Sequence, residues 1–252
     1  AIAPQGQARS NTQIFRDLAA HMGFTEPCFA EDDEQLCRQA YGAQVDFAQL
    51  LAQGFAPTGA PEAPFADGGF PTPSGRCEFF SQALADQGHD GLPDHLPNHE
   101  AAGTSKRYPL AMISPPARNF LNSTFVNVQS LRDIEGRPVL EIHPDDALAR
   151  GIGDGAVVRV FNERGQILAG AKVTDAIRPG VVKVSEGGWY DPADPAKPGS
   201  LCRYGDVNVL TVDIGTSKLA QGNCGHTAVG DVEKYKGEAP KPQVFVAPKN
   251  AA

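Results

Sequence analysis

No stretch of this 252-residue chain approaches the roughly 20 consecutive apolar residues that span a bilayer. The opening AIAPQGQARS likewise lacks the basic and apolar parts of a secretion signal. Nothing in the sequence therefore points to a membrane. A net charge of -8, with no basic stripe, argues against nucleic acid, whose binding depends on neutralising phosphates with Lys and Arg. Cysteine is sparse and scattered: Cys28, Cys37, Cys77, Cys202 and Cys224 are odd in number and never form a CxxC pair. Neither a disulfide framework nor a zinc or iron–sulfur motif is signalled, and reduced thiols in the cytoplasm are the expectation. GxGxxG, the P-loop and GxSxG are all missing, which removes support for common nucleotide and hydrolase chemistry.

What is present is a globular composition, 41% hydrophobic, in two textures. The first is helical. Ser10 and Gln13 fit a capping box ahead of Ile14, Phe15, Leu18, Ala19 and Met22, which share one helical face, and Gly23 is a natural stop. A second helix is expected from the acidic cluster Glu31 to Glu34 to near Gly42, and a third from Asp46 to Gly54. Pro- and Gly-rich loops follow, with a short strand expected at Arg76 to Phe80 and a helical turn or two at Ser81 to Gln87.

After Lys106 the texture becomes strand-like. Apolar or alternating runs occur at Leu110 to Ile113, Val139 to Ile142, Ala156 to Phe161, Gln166 to Val173, Val181 to Val184, Val207 to Val212, Thr227 to Val232 and Gln243 to Val246. Asn162 to Gly165 predicts a tight hairpin, since Gly165 can take a positive φ at no steric cost. One helix interrupts, with Pro144 in its first turn, Asp145 and Asp146 at its positive end, and Gly151 behind it. Short strands with Gly-rich turns favour a barrel over an open parallel sheet, and the boundary falls between about 100 and 107.

Two polar loops stand out. Ser114 to Asn127, SPPARNFLNSTFVN, follows a strand and packs a planar cation, Arg118, among Asn119, Asn122, Ser123, Thr124 and Asn127. Such a loop can hold an anionic, oxygen-rich ligand, or it can be a surface connection in which Asn and Ser serve turn geometry. Asp213 to His226 is similar in kind, with Gly215, Gly222 and Gly225 allowing close backbone approach beside Gln221, Asn223 and His226. Its bland alternative is a long loop that needs glycine for positive φ. Trp189, the sole tryptophan, can stack on a flat heterocycle or cap the barrel end. Asn208, polar within an apolar run, needs a partner, either a base edge or a backbone group. Cys224 with His226 suggests a thiol nucleophile and base, but no third group orients the His and no oxyanion donors can be assigned. The group His89, His95 and His99 with Asp90 and Asp94 matches no standard metal-ligand spacing.

Taken together, several segments resemble the C-terminal part of the molybdopterin-dependent oxidoreductases, the dimethyl sulfoxide reductase family. Phe70 to Ser81, FPTPSGRCEFFS, is similar to the family's FPTPSGKIEFYS-type segment, and Tyr108 to Asn127 to its strand and SPPA-type cofactor loop. Ile142 to Gly155, IHPDDALARGIGDG, resembles its HPxDAxxxGIxDGD signature, and Pro179 to Trp189 and Asn208 to His226 resemble its tail. Ile2 to Phe29 is similar to the end of its catalytic portion. The motifs come in the family's order and cover nearly the whole chain.

The resemblance implies a mainly β fold with α segments: residues 106–252 as a six-stranded double-psi β-barrel that binds molybdopterin guanine dinucleotide, and residues 1–105 as the helical and loop-rich tail of the preceding catalytic domain. It implies that Ser114, Arg118, Asn119, Asn122 and Ser123 contact pterin or phosphate, that Gln221, Asn223 and His226 lie against a pterin, and that Trp189 and Asn208 help hold a guanosine end. It also implies a molybdenum or tungsten centre ligated outside this chain by earlier domains, which are the expected partners. The isolated segment is then expected to be inactive and without cofactor, and an upstream export signal would make the protein periplasmic. The runner-up is a free-standing double-psi barrel serving as an adaptor or substrate-recognition module.

Overall fold

A computed structural model describes residues 2–217, 219 and 222–246. The chain divides into two compact units, the first ending at Asp94 and the second beginning at His95.

The first unit is built of short helices. In α1 (Asn11–Met22) the Ser10 hydroxyl accepts from the Gln13 N–H, but the Gln13 side chain turns to Asp17 and leaves the expected capping box half made. Gly23, at φ 78°, closes the helix in the left-handed conformation. The reciprocal capping box belongs to α2 (Asp33–Tyr41), where Asp32 and Gln35 each satisfy the other's backbone N–H. Asp46 caps α3 (Phe47–Gln53), and Ser81 caps α4 (Gln82–Asp86). The strand expected at Arg76 to Phe80 does not form. Pro71, Pro73 and Gly75 turn the chain there, and polar groups take the backbone sites a strand would need. The Thr72 hydroxyl donates to the Arg76 carbonyl, and Glu78 accepts from the Ser74 N–H.

The second unit is a mixed barrel. Its strands are β1 (Leu110–Ile113), β2 (Val139–Ile142), β3 (Val157–Phe161), β4 (Gln166–Val173), β5 (Val181–Val184), β6 (Leu201–Cys202) and β7 (Thr227–Lys234). They pair in the order β2-β5-β1-β7-β3-β4-β6, and β4 returns to pair with β2, so six strands close on themselves and β6 extends β4. Pairs β1–β5 and β2–β4 are parallel; β1–β7, β2–β5, β3–β4 and β3–β7 are antiparallel. Alternation sends Leu110, Met112, Leu140, Ile142, Val158, Val160, Ile167, Ala169, Val182 and Val184 into one core. Two helices decorate the barrel: α5 (Gln129–Glu135) and α6 (Pro144–Ala149). The first-turn Asp146 accepts from the Gly180 N–H, tying α6 to the turn before β5. No helix among the described residues is long and apolar enough to cross a membrane.

Three expectations are corrected. Val207 to Val212 is no strand; Val207–Leu210 is a 3-10 turn capped by Asp206, with Val207 and Leu210 buried and Asn208 exposed, so Asn208 pays no burial cost. Gln243 to Val246 is a turn, with the Val246 N–H donating to the Gln243 carbonyl. The 162–165 hairpin forms, but Gly165 does not have a positive φ. It must be glycine because a Cβ there would lie 2.4 Å from Val209 Cγ1.

That contact belongs to a polar hub. The Leu210 carbonyl accepts from Asn162 Nδ2 at 2.8 Å and from Arg164 Nε and Nη2 at 3.0 and 2.7 Å. Arg164 also meets Glu100 in a bidentate pair, both contacts 2.7 Å, and Glu100 accepts from the Val229 N–H at 2.9 Å. The hub joins the β3–β4 hairpin, the 3-10 turn, β7 and the 95–109 segment. Replacing Glu100 with Gln should destabilise the protein by about 1–2 kcal/mol, since the pair is only partly solvated and the charge of Arg164 would keep Glu163 alone. A lower midpoint in urea denaturation at unchanged slope is the expected result.

Candidate functional site

β1 and β5 are parallel and β7 runs against β1, so the segments after β1, after β5 and before β7 leave the barrel at one end. The ladders continue beyond the strands. The Ser114 N–H donates to the His226 carbonyl at 3.2 Å, His226 Nδ1 lies 2.9 Å from the Ser114 carbonyl, and the Glu186 N–H donates to Pro115 at 3.0 Å. Both expected loops are thereby brought together, with the start of the first, Ser114 and Pro115, bonded to His226 on one side and to Glu186 on the other.

A cavity of ≈ 470 Å³ opens there, lined by Asn122, Glu186, Asn208, Thr211, Val212, Asp213, Asn223, Gly225 and His226. Of the residues anticipated from sequence, Asn122, Asn208, Asn223 and His226 meet in its wall. A carbonyl can only accept, so the Nδ1 of His226 carries the proton of that contact, and Glu186 Oε2 lies 3.9 Å from the same nitrogen. No hydrogen bond joins Cys224 to His226 among the described residues. Among those residues no cluster of His, Cys, Asp and Glu is arranged to hold a metal.

The 114–127 loop is shaped by its own backbone. Leu121 and Thr124 exchange both backbone hydrogen bonds around Asn122 and Ser123, and Asn122 sits at φ 50°, a left-handed conformation that Asn tolerates. Val126 is fully buried and anchors the far end. Asn119 is committed to the scaffold: its backbone N–H and its Nδ2 both donate to Glu135 at 2.8 Å. Arg118 is exposed, with no carboxylate partner among the described residues. The Ser114 hydroxyl is buried and unpartnered, and Ser114 does not line the cavity. Ser123 is exposed, and its carbonyl accepts from Trp189 Nε1 at 2.8 Å. Gln221 lies outside the described residues.

Glycines let the segment after β5 pass between the 114–127 loop and the chain at Tyr204–Gly205. A Cβ on Gly187, which has φ 112°, would lie 2.7 Å from the Asn122 carbonyl, and one on Gly188 would lie 2.5 Å from the carbonyl of Tyr204. A second cavity of ≈ 320 Å³ shares Asn208 as a wall and includes Asp206, Tyr190 and Arg164. Burial pushes the carboxyl of Asp206 above its ordinary pKa, opposed by the hydrogen bond it accepts from the Asn208 N–H.

Sequence inspection did not single out Glu186 or Thr211, and took Asp213 only as the start of a loop. An acidic side chain beside glycines resembles a solvated one, and only the position of Glu186 and Asp213 directly after a strand or an apolar run hints at more. Together they give the cavity two groups that only accept hydrogen bonds, amid amides that both donate and accept.

The family described as Molydopterin dinucleotide binding domain matches residues 110–229. A dimethyl sulfoxide/trimethylamine N-oxide reductase of Cereibacter sphaeroides is 41% identical over 99% of this chain and 34% of its own length. Trimethylamine-N-oxide reductase 1 of Escherichia coli K12 is 44% identical over 66% of this chain and 21% of its own. The structure of acetylene hydratase from Pelobacter acetylenicus superposes with a TM-score of 0.69 at 21% identity, over 93% of this chain and 34% of that one, and so shares the fold. The chain thus spans about a third of the first of these reductases. With the barrel, its two converging polar loops and these likenesses in hand, the chain belongs to the dimethyl sulfoxide reductase family, and residues 110–229, running from β1 into β7, are its molybdopterin dinucleotide-binding domain.

Proposed function

We propose that this chain is the C-terminal, cofactor-clasping portion of a bis-molybdopterin guanine dinucleotide oxidoreductase whose complete form reduces an S- or N-oxide. Residues 106–252 would hold the cofactor and residues 1–105 would close the preceding catalytic domain. The observation that carries this reading is the convergence of both polar loops on a cavity walled by Glu186, Asp213, Asn208, Asn223 and His226. The names of the reductases from C. sphaeroides and E. coli support the class of substrate. The parallel pairs β1–β5 and β2–β4 support a double-psi connection.

The residues fit such a group in chemical kind. Pterin and guanine both present an N–H beside an amino group, and a carboxylate accepts from such an edge while repelling phosphate. Glu186 and Asp213 therefore suit a heterocycle, with Asn208 and Asn223 adding neutral bonds. Arg118, exposed and without a carboxylate partner, suits a phosphate. His226, its Nδ1–H given to Ser114, would meet the ligand with Nε2. When bound, the cofactor supplies two-electron redox at a dithiolene-held molybdenum or tungsten; the part of this chain is positioning, charge and exclusion of water.

Arg118→Ala should reduce pterin and metal content of the complete enzyme roughly tenfold or more, as expected for a lost charge-assisted bond, with the circular dichroism spectrum unchanged. Full loading of that variant would count against the reading. Glu186→Gln, which keeps shape and removes charge, should weaken retention of the cofactor by about 1–2 kcal/mol in equilibrium binding. Gly187→Ala should push the Asn122 turn outward, seen as lower cofactor occupancy with a thermal midpoint reduced by a few degrees.

A further inference from the structure

Phe245 does not line the cavity, yet it packs against two side chains that hold carbonyls of the 114–127 loop. Its ring lies 3.9 Å beneath the Arg132 guanidinium and 5.7 Å from the Trp189 ring, tilted by 32°, and it meets the buried Tyr204 edge-on at 4.9 Å. Arg132 in turn donates from Nη1 to the Val126 carbonyl at 3.1 Å, and Trp189 donates from Nε1 to the Ser123 carbonyl at 2.8 Å. These donors come from different segments, α5 and the run after β5, and the aromatic ring between them is what they share.

The Phe245 segment is itself anchored. Asp191, only 4% exposed, accepts from the Gln243 N–H at 2.8 Å with Oδ2 and from Arg203 at 2.9 Å with Oδ1, and the 243–246 turn then presents the ring. An aromatic face opposite a guanidinium and beside an indole fixes the direction of both, because cation–π and tilted-ring contacts are orientation-dependent.

We propose that residues 243–246 form a strap that holds the 114–127 loop in its binding shape, with Phe245 as a positioning residue acting through Arg132 and Trp189. The consequence for cofactor binding rests on the function proposed above; the mechanical claim does not.

Trp189 is the sole tryptophan, so its emission in this chain reports the strap directly. In Phe245→Ala the emission should move to longer wavelength. Chymotrypsin cleavage after the exposed Leu121 and Phe125 should quicken about tenfold, the mark of a locally loosened segment. The melting transition of the barrel should stay in place, and Phe245→Tyr should restore both readouts. Unchanged Trp189 emission and unchanged cleavage would overturn the proposal. If the alanine variant does not fold, Arg132→Met, which leaves the ring and cuts the bond to Val126, must by itself quicken cleavage after Phe125, and failure to do so overturns it equally. Pterin content of the same variants in the complete enzyme separates the two claims: a loosened loop with full loading leaves the strap standing and removes the loop from the cofactor site.

Discussion

Four residue pairs, from Leu110 opposite Gly230 to Ile113 opposite Thr227, join β1 to β7 across more than a hundred residues of chain. The polar loop that leaves β1 and the one that enters β7 would otherwise be independent surface connections. Pairing makes them neighbours, and the exchange between Ser114 and His226 carries the ladder past the last strand residue into the site. β7 can lie between β1 and β3 partly because position 230 is glycine: a Cβ there would lie 3.1 Å from the Phe161 carbonyl. The absence of one side chain thus serves the placement of a cavity several residues away.

A second constraint acts from the side. The 3-10 turn that carries Asn208 has little regular hydrogen bonding of its own, and its position depends on the Leu210 carbonyl, which receives Asn162 and Arg164. Polar groups drawn from distant segments do here what a sheet ladder does elsewhere: they satisfy a backbone carbonyl and at the same time determine where an exposed amide points. The hydrophobic core closes the barrel, while hydrogen bonds and charge place the walls of its open end.

Much of the barrel was legible because strands buried on one face alternate, as in Val157–Phe161 and Leu110–Ile113. The same logic misled at Val207 to Val212. That run is as apolar, but Asp206 caps a tight turn, and its buried residues, Val207 and Leu210, stand three apart rather than two. Helix α5 escaped notice because none of its residues is buried and no side chain caps its start. In the site, the first loop, which stands out in the sequence by its cluster of Arg, Asn and Ser, reaches the cavity through Asn122. Its residues then diverge in role: Asn122 faces the cavity, Asn119 is committed to Glu135, and the Ser114 hydroxyl is buried without a partner. Composition identifies a polar loop, but which amides remain free depends on partners such as Glu135 and Glu100 that only folding brings near.

The β1–β7 pairing also has a bearing on synthesis. Because β7 is the last strand of the barrel in sequence, ribosomal synthesis delivers β1 and its loop long before the strand that completes the clasp. For most of translation the first polar loop has no opposing wall. A ligand that needs both walls meets a competent surface only after β7 has emerged and docked on β1, so the cavity is among the last features of the barrel to take shape.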